Sequence, residues 1–158
     1  MRQSVAAIAL IRRKQGGRTL WLAQWNANWN AFALVGGHKW ESETFRECAV
    51  REIAEELGLF EGADCLIADE PTAHLEYEAW SKAAQEETAY VMELFDIDLT
   101  GEGTRMKIDA NPANRWLTEE EMQAQQTLDG KSVSQTMVRV LAQTGLLNVD
   151  ESPIGDDV

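Results

Sequence analysis

Apolar and polar positions divide the chain into short elements, most of them of strand length. Ser4 to Ile11 is an apolar-rich run, and Lys14-Gln15-Gly16-Gly17 after it has turn chemistry. Thr19 to Trp25 reads as the hairpin partner, and Phe32 to Val35 as a further strand beyond the polar, aromatic loop Trp25 to Asn30. Cys65 to Trp80 is extended, with a break at Pro71, whose ring removes a backbone donor. A polar connection over Ser81 to Gln85 leads to Glu87 to Leu99, apolar on both alternating faces as a central strand is. Thr100 to Gly103 reads as a turn, Asp109 to Asn114 as a polar loop and Arg115 to Leu117 as a short strand. Thr118 followed by Glu119, Glu120 and Glu121 opens a helix, with an N-cap hydroxyl and first-turn acids that suit the helix dipole. A second helix runs from Ser132 to Gln143 and stops at Gly145.

One stretch has a different pattern. After the Phe32 to Val35 run comes the pair Gly36-Gly37, and Thr44 followed three residues later by Glu47 forms a capping box that starts a helix ending at Gly58. On that helix Val50, Ile53 and Leu57 form the apolar stripe. At roughly 100° per residue, Glu52, Glu55 and Glu56 fall within an arc of about 100° on the opposite side. Carboxylates at this spacing repel one another by a few tenths of a kcal/mol per pair, and a bound divalent cation reverses that sign. A dense set of hard oxygen ligands suits Mg²⁺, with Mn²⁺ as an alternative. Arg51 places a fixed cation among the acids, able to hold Glu43 or Glu52 through paired hydrogen bonds. The competing reading is a solvated acidic face.

From Gly37 to Leu59 the sequence, GHKWESETFRECAVREIAEELGL, resembles the Nudix box, G-x5-E-x7-R-E-U-x-E-E-x-G-U with U a bulky aliphatic. Gly37, Glu43, Arg51, Glu52, Ile53, Glu55, Glu56, Gly58 and Leu59 fill its specified positions. At average residue usage a chance match has odds below about one in a million. The resemblance implies an α/β fold, an α/β/α sandwich around a mixed β-sheet. It also implies a metal-dependent hydrolase that cleaves a nucleoside diphosphate linked to another moiety: a nucleoside triphosphate, a dinucleoside polyphosphate, ADP-ribose or a nucleotide sugar. On this reading Glu52, Glu55 and Glu56, with the Gly36 carbonyl, hold Mg²⁺ or Mn²⁺, which spreads charge on the diphosphate and activates the attacking water. Glu43 and Arg51 fix the ligand geometry. Asp109, in the loop before a Trp-containing strand, is a further candidate ligand, and Glu52, Glu55 and Asp109 all remain open as the general base. The alternative from the same resemblance is a Nudix-fold module that binds a nucleotide or a protein without hydrolysis. Such modules commonly lack box carboxylates, and this chain keeps them.

Around that centre, His38, Lys39, Trp25, Trp29 and Arg12 are the candidate substrate contacts: the first two follow the glycine pair, and a tryptophan can stack on a base. Core packing is the competing role for each tryptophan. Tyr77 follows the box at about the interval associated with dinucleoside polyphosphate hydrolases, a weak pointer.

The 158 residues, 44% of them hydrophobic, suit a single domain over 1–149 with a flexible acidic tail over 150–158. A net charge of −13 argues against general nucleic-acid binding. Residues 1 to 40 nevertheless contain no acid, and Arg12, Arg13, Lys14 and Arg18 would form either a positive rim for a polyphosphate or a solvated hairpin. The apolar run Val5 to Ile11 meets Arg12-Arg13-Lys14 without a small-residue cleavage site, so no signal peptide is expected. No stretch reaches membrane-span length. Cys48 and Cys65 lack metal-ligand spacing, and are expected to be reduced thiols in a cytoplasmic protein. The tryptophans leave a homodimer open.

Overall fold

The computed structural model describes residues 1–149; the acidic tail expected over 150–158 lies outside the described residues. Strand β1 (Arg2–Leu10) lies parallel to β8 (Glu86–Leu99), in register from Arg2 opposite Thr88 to Leu10 opposite Asp96. Its other edge takes the short antiparallel strand β5 (Gly36–His38). The far edge of β8 is shared antiparallel by β7 (Ala73–Ser81) and β6 (Cys65–Ile67), and Pro71, which cannot donate to a ladder, falls in the gap between them. These five strands make a mixed sheet in the order β5-β1-β8-β6, with β7 beside β6 on β8.

A second, antiparallel sheet is built on β3 (Arg18–Asn26), which pairs with β2 (Arg12–Gln15), β4 (Ala31–Ala33) and β9 (Asn114–Thr118). The β2–β3 hairpin turns through Gly16 and Gly17, both at positive φ, as a two-residue hairpin turn requires. The expected mixed sheet is therefore present but accompanied by a separate four-stranded one. The Phe32 to Val35 strand also ends early, at Ala33, and the glycine pair expected as a loop begins β5.

Helices cover both sides. Helix α1 (Phe45–Leu57) and α2 (Glu102–Ala110) pack Cys48, Ala49, Ile53, Leu57 and Ile108 against Ala7, Ala9, Leu22 and Phe95. Helices α3 (Glu119–Ala124) and α4 (Gln135–Gln143) place Met122, Met137, Val138 and Leu141 against Leu10, Trp21, Phe32 and Leu94. Neighbouring residues such as Ala9 and Leu10, or Trp21 and Leu22, serve opposite cores, which is the period of two that a doubly covered sheet imposes. Helix α2 corrects the sequence reading, which had a turn and a loop there. Its buried positions are only Thr104 and Ile108, one helical turn apart, and Gly103 sits in its first turn, so the apolar signal is thin. The final helix begins at Gln135 behind an N-cap Ser134, three residues later than expected. Among the described residues no helix is long and apolar enough to cross a membrane.

Candidate active site

The site is organised by α1. Thr44 accepts from the Glu47 amide and the Glu47 side chain accepts from the Thr44 amide, closing the expected capping box, while Gly58 at φ 67° ends the helix in the left-handed region. Between these two ends the helix packs on β1 and β5, and Cys48 and Glu52 face Gly37.

Arg51 is the hub of the acidic cluster. Its Nε and Nη2 donate to the two oxygens of Glu43 at 2.9 and 2.8 Å, the bidentate fork geometry of a guanidinium–carboxylate pair. Nη2 also donates to the His38 carbonyl at 2.9 Å, and Nη1 donates to Glu52 at 2.9 Å and to Glu55 at 3.3 Å. The Trp40 ring lies over the guanidinium, 3.9 Å from centroid to Cζ, and the Trp40 amide donates to Glu43. Glu43 keeps only 8% of its side-chain surface exposed, and its pKa is lowered to about 2, first by the Arg51 hydrogen bonds. Glu52 is also buried, and burial pushes its carboxyl up; Arg51 opposes the rise, while the charges of Glu55 and Glu56 add to it. Glu55 is half exposed.

The glycine pair is explained by contact. A Cβ on Gly37 would stand 2.2 Å from Glu52 Oε1, and one on Gly36 would stand 2.4 Å from the Ala7 carbonyl oxygen. Gly37 therefore gives room to a carboxylate and Gly36 to the β1 backbone, neither needing an unusual φ.

Beside this cluster opens a cavity of ≈ 250 Å³, lined by Gln24, Trp25, Asn26, Asn28, Gly36 and Glu56 among others. Two proposed cation ligands, Gly36 and Glu56, thus lie in its wall. Among the described residues no three His, Cys, Asp or Glu side chains converge as a ready metal site; Arg51 Nη1 instead bridges Glu52 and Glu55. The donor chemistry still fits a hard divalent cation. Three carboxylates share one helix face, without thiol or imidazole; burial and then the charges of Glu55 and Glu56 disfavour the ionised form of Glu52, and a cation would offset both.

The other candidates are distributed unevenly. Trp25 lines the cavity, half-buried and edge-to-face on Phe32 at 5.1 Å, and Trp29 is exposed on the adjoining loop. His38 is exposed beside Ser4, with Nε2 and Oγ 3.3 Å apart. Lys39 donates from Nζ to the carbonyls of Trp40 and Glu43, which ties it to the loop before α1. Arg12 pairs with Asp96 on β8 and lies over Trp21, Arg13 lies over Trp116, and Arg18 is 4.0 Å from Glu120. Arg12, Arg13 and Arg18 are therefore spread over structural partners, and Lys14 is exposed on the hairpin. Asp109 is in the last turn of α2, not in a loop, and accepts from the Trp116 indole at 3.1 Å. Tyr77 stacks on Tyr90 at 5.0 Å. Cys48 and Cys65 are free, buried thiols, each pushed up to about 11 by burial. Sequence reasoning passed over the amides Gln24, Asn26 and Asn28. Asn26 and Asn28 stand in the Trp25 to Asn30 loop, where asparagine is an ordinary turn residue and carries no separate binding signal.

The architecture defines a class, an α/β/α sandwich that presents an acidic helix to a glycine-bearing strand end. A model of the NUDIX domain matches residues 1–139, and the chain belongs to the Nudix family. No curated protein matches the sequence. Among solved structures, the Nudix hydrolase RenU from M. Smegmatis is 19% identical with a TM-score of 0.55, the match covering 96% of this chain and 93% of that one. The Ap4A hydrolase from C. elegans is 16% identical with a TM-score of 0.55, covering 92% and 93%. The NUDIX domain of NrtR from Shewanella oneidensis, in complex with ADP ribose, is 12% identical with a TM-score of 0.59, covering 90% and 86%. At these identities the likeness is one of fold.

Proposed function

We propose that this Nudix protein is a divalent-cation-dependent hydrolase of a nucleoside diphosphate joined to a further group. The observation that carries the reading is Arg51, which holds Glu43 and Glu52 in one geometry while Glu55 and Glu56 stay on the same helix face. A solvated acidic face would not bury Glu52, together with Glu43 from the preceding loop, against a stacked guanidinium. Glu52, Glu55 and Glu56, with the Gly36 carbonyl, would hold the cation. Once bound, it supplies charge neutralisation on the diphosphate and acidifies a water for attack on phosphorus. Glu43 and Arg51 act through Glu52, fixing where its carboxylate stands. Glu55, half exposed and on the longest of the Arg51 contacts to the cluster's carboxylates, is free to swing and take the proton from the attacking water. The amides of the cavity wall contact the organic part of the substrate.

The test is release of phosphate or AMP from dNTPs, ADP-ribose, nucleotide sugars and diadenosine polyphosphates with Mg²⁺ or Mn²⁺, beside Glu55→Gln. Cation-dependent turnover that the substitution abolishes supports the hydrolase, and the best substrate names the class. Turnover on no substrate above the Glu55→Gln background, from folded and cation-binding protein, moves the chain to the non-hydrolytic binding modules.

A further inference from the structure

Arg51 has five N–H groups, and five oxygens accept from them: both of Glu43, the His38 carbonyl, Glu52 Oε1 and Glu55 Oε2. The rim of the guanidinium is therefore fully used, and only its two flat faces are left. The fork to Glu43 fixes how far apart the two groups stand, but two parallel bonds leave the dihedral between their planes soft. Tilting about that fork would move Nη1 most, because Nε and Nη2 are the atoms that Glu43 holds. Nη1 is the atom to which Glu52 and Glu55 are tied.

Trp40 closes one of the two faces. Its ring centroid is 3.9 Å from Arg51 Cζ, the shortest contact of this kind among the described residues, where the others run from 4.3 to 6.0 Å. The backbone that carries the ring is itself held. The Trp40 amide donates to Glu43 Oε1 at 2.9 Å, and the Trp40 carbonyl accepts from the Glu43 amide and from Lys39 Nζ, both at 3.1 Å. One residue thus grips both members of the ion pair, Glu43 through its main chain and Arg51 through its ring. Trp40 nevertheless remains 56% exposed, so core packing does not account for it. The box leaves position 40 open, among the residues 38–42 between Gly37 and Glu43, so this tryptophan belongs to the chain and not to the motif.

We infer that Trp40 is a positioning residue of the cation site: by lying on the Arg51 guanidinium it fixes the tilt of that group, and so the places of the Glu52 and Glu55 carboxylates. The inference rests on the hydrolase reading only for the cation that those carboxylates would hold. Its effect on Arg51 itself is present in the protein without cation, and can be read there.

The test compares Trp40→Ala and Trp40→Phe with the parent, all as the full chain. Without cation, the ring current of Trp40 should move the Arg51 Nε–H resonance upfield, Arg51→Met identifying the signal. The alanine variant should lose that displacement and the phenylalanine variant keep it. Both should melt within about 3 °C of the parent, as substitutions at an exposed position do. In a calorimetric titration with Mn²⁺, Trp40→Ala should bind about tenfold more weakly than the parent, the low end of what loss of a ligand's support costs, and Trp40→Phe within about threefold of it. Mn²⁺ binding by Trp40→Ala within about twofold of the parent overturns the inference. So does a phenylalanine variant no better than alanine, or an Arg51 signal indifferent to the substitution. A loss of affinity accompanied by melting more than about 5 °C early also overturns it, since the ring would then hold the loop and not the tilt. A parent that binds no Mn²⁺ removes the hydrolase reading and the inference with it. The expected order of affinities without hydrolysis of any substrate removes that reading alone, and hydrolysis with equal affinities in parent and alanine variant removes the inference alone.

Discussion

Substituting Gly37 by alanine adds one methyl group and replaces no proposed ligand, yet it should disable the site by displacing one, Glu52. The new Cβ would lie 2.2, 2.3 and 2.7 Å from Glu52 Oε1, Cδ and Oε2, so the whole carboxylate is in the way. Nonbonded heavy atoms come to rest near 3.5–4.0 Å, and the Glu52 carboxylate must retreat by more than one ångström. Its bond to Arg51 Nη1, now 2.9 Å, then breaks or stretches. A charge-assisted bond is worth about 1.5–3 kcal/mol, and replacing glycine by alanine in a compatible conformation returns about 0.4–1 kcal/mol through the unfolded chain. The net loss is about 1–2 kcal/mol, or a few degrees in Tm for a chain of this size. The fold survives because the obstructed atoms are the far end of a side chain. The site does not, since a ligand carboxylate displaced from its support typically loses about 10–100-fold in metal affinity or activity.

Gly36→Ala is the matched control. Its Cβ would meet the Ala7 carbonyl oxygen at 2.4 Å and the Ile8 Cα at 3.0 Å, which are backbone atoms of the paired strand and cannot swing aside. That variant should lose stability first, and cation affinity only as a consequence. The assay is a Mn²⁺ titration paired with thermal denaturation for both variants. If Gly37→Ala binds Mn²⁺ and hydrolyses the best substrate within about twofold of the parent, Glu52 is not placed where metal support requires it. If it melts as early as Gly36→Ala, the distinction between side-chain and backbone obstruction is wrong.

Arg51→Met removes the cation from a pair whose side chains are 16% and 8% exposed and leaves Glu43 without a partner, so chemical denaturation should show a loss of about 3–5 kcal/mol. Glu43 has a folded pKa lowered to about 2, so its contribution is present above the ordinary carboxylate range and is lost as pH falls toward 2. Acid-unfolding curves of Glu43→Gln should accordingly run flatter than those of the parent between about pH 4.5 and 2. His74 lies between Glu76 and Glu93, whose hydrogen bonds raise its pKa, so its stabilisation is present below pH ~6.5 and is lost as pH rises through the folded value. His74→Gln should remove that dependence at a cost under about 1 kcal/mol, because the pair is substantially exposed.

The sequence was most legible where a local rule and a global requirement agree. Thr44, Glu47 and Gly58 mark the ends of α1 by cap chemistry alone, and the structure places both caps as expected. Glu43 and Arg51 are eight residues apart, and their pairing follows from type and spacing once the helix is placed. Pro71 splits the outer strands because it cannot donate, and Gly16-Gly17 turns the first hairpin because both residues must take positive φ. Helix α2 was hidden for the converse reason. A helix that buries a threonine and an isoleucine has almost no period to detect, and its place is decided by contacts such as Thr104 to the carbonyls of Asp64 and Thr100. The fate of Arg12, Arg13 and Arg18 was equally out of reach, since their partners Asp96, Trp116 and Glu120 are far along the chain.

The cavity wall shows why a motif locates chemistry better than selectivity. The box is contiguous because one helix and one strand end suffice to hold its carboxylates, and those residues can be read in a line. The polarity that Gln24 presents depends on Asn114, which in turn depends on the Ile108 carbonyl at the end of α2. Residues 108–114, more than eighty positions along the chain from Gln24, settle the orientation of its amide through hydrogen bonds that have no sequence period. The same helix that the apolar pattern failed to reveal thus fixes, through its last carbonyls, what the cavity beside Glu56 offers to a ligand. A substitution on α2 that shifts the Ile108 carbonyl would release the Gln24–Asn114 relay without altering a residue of the box or of the cavity wall.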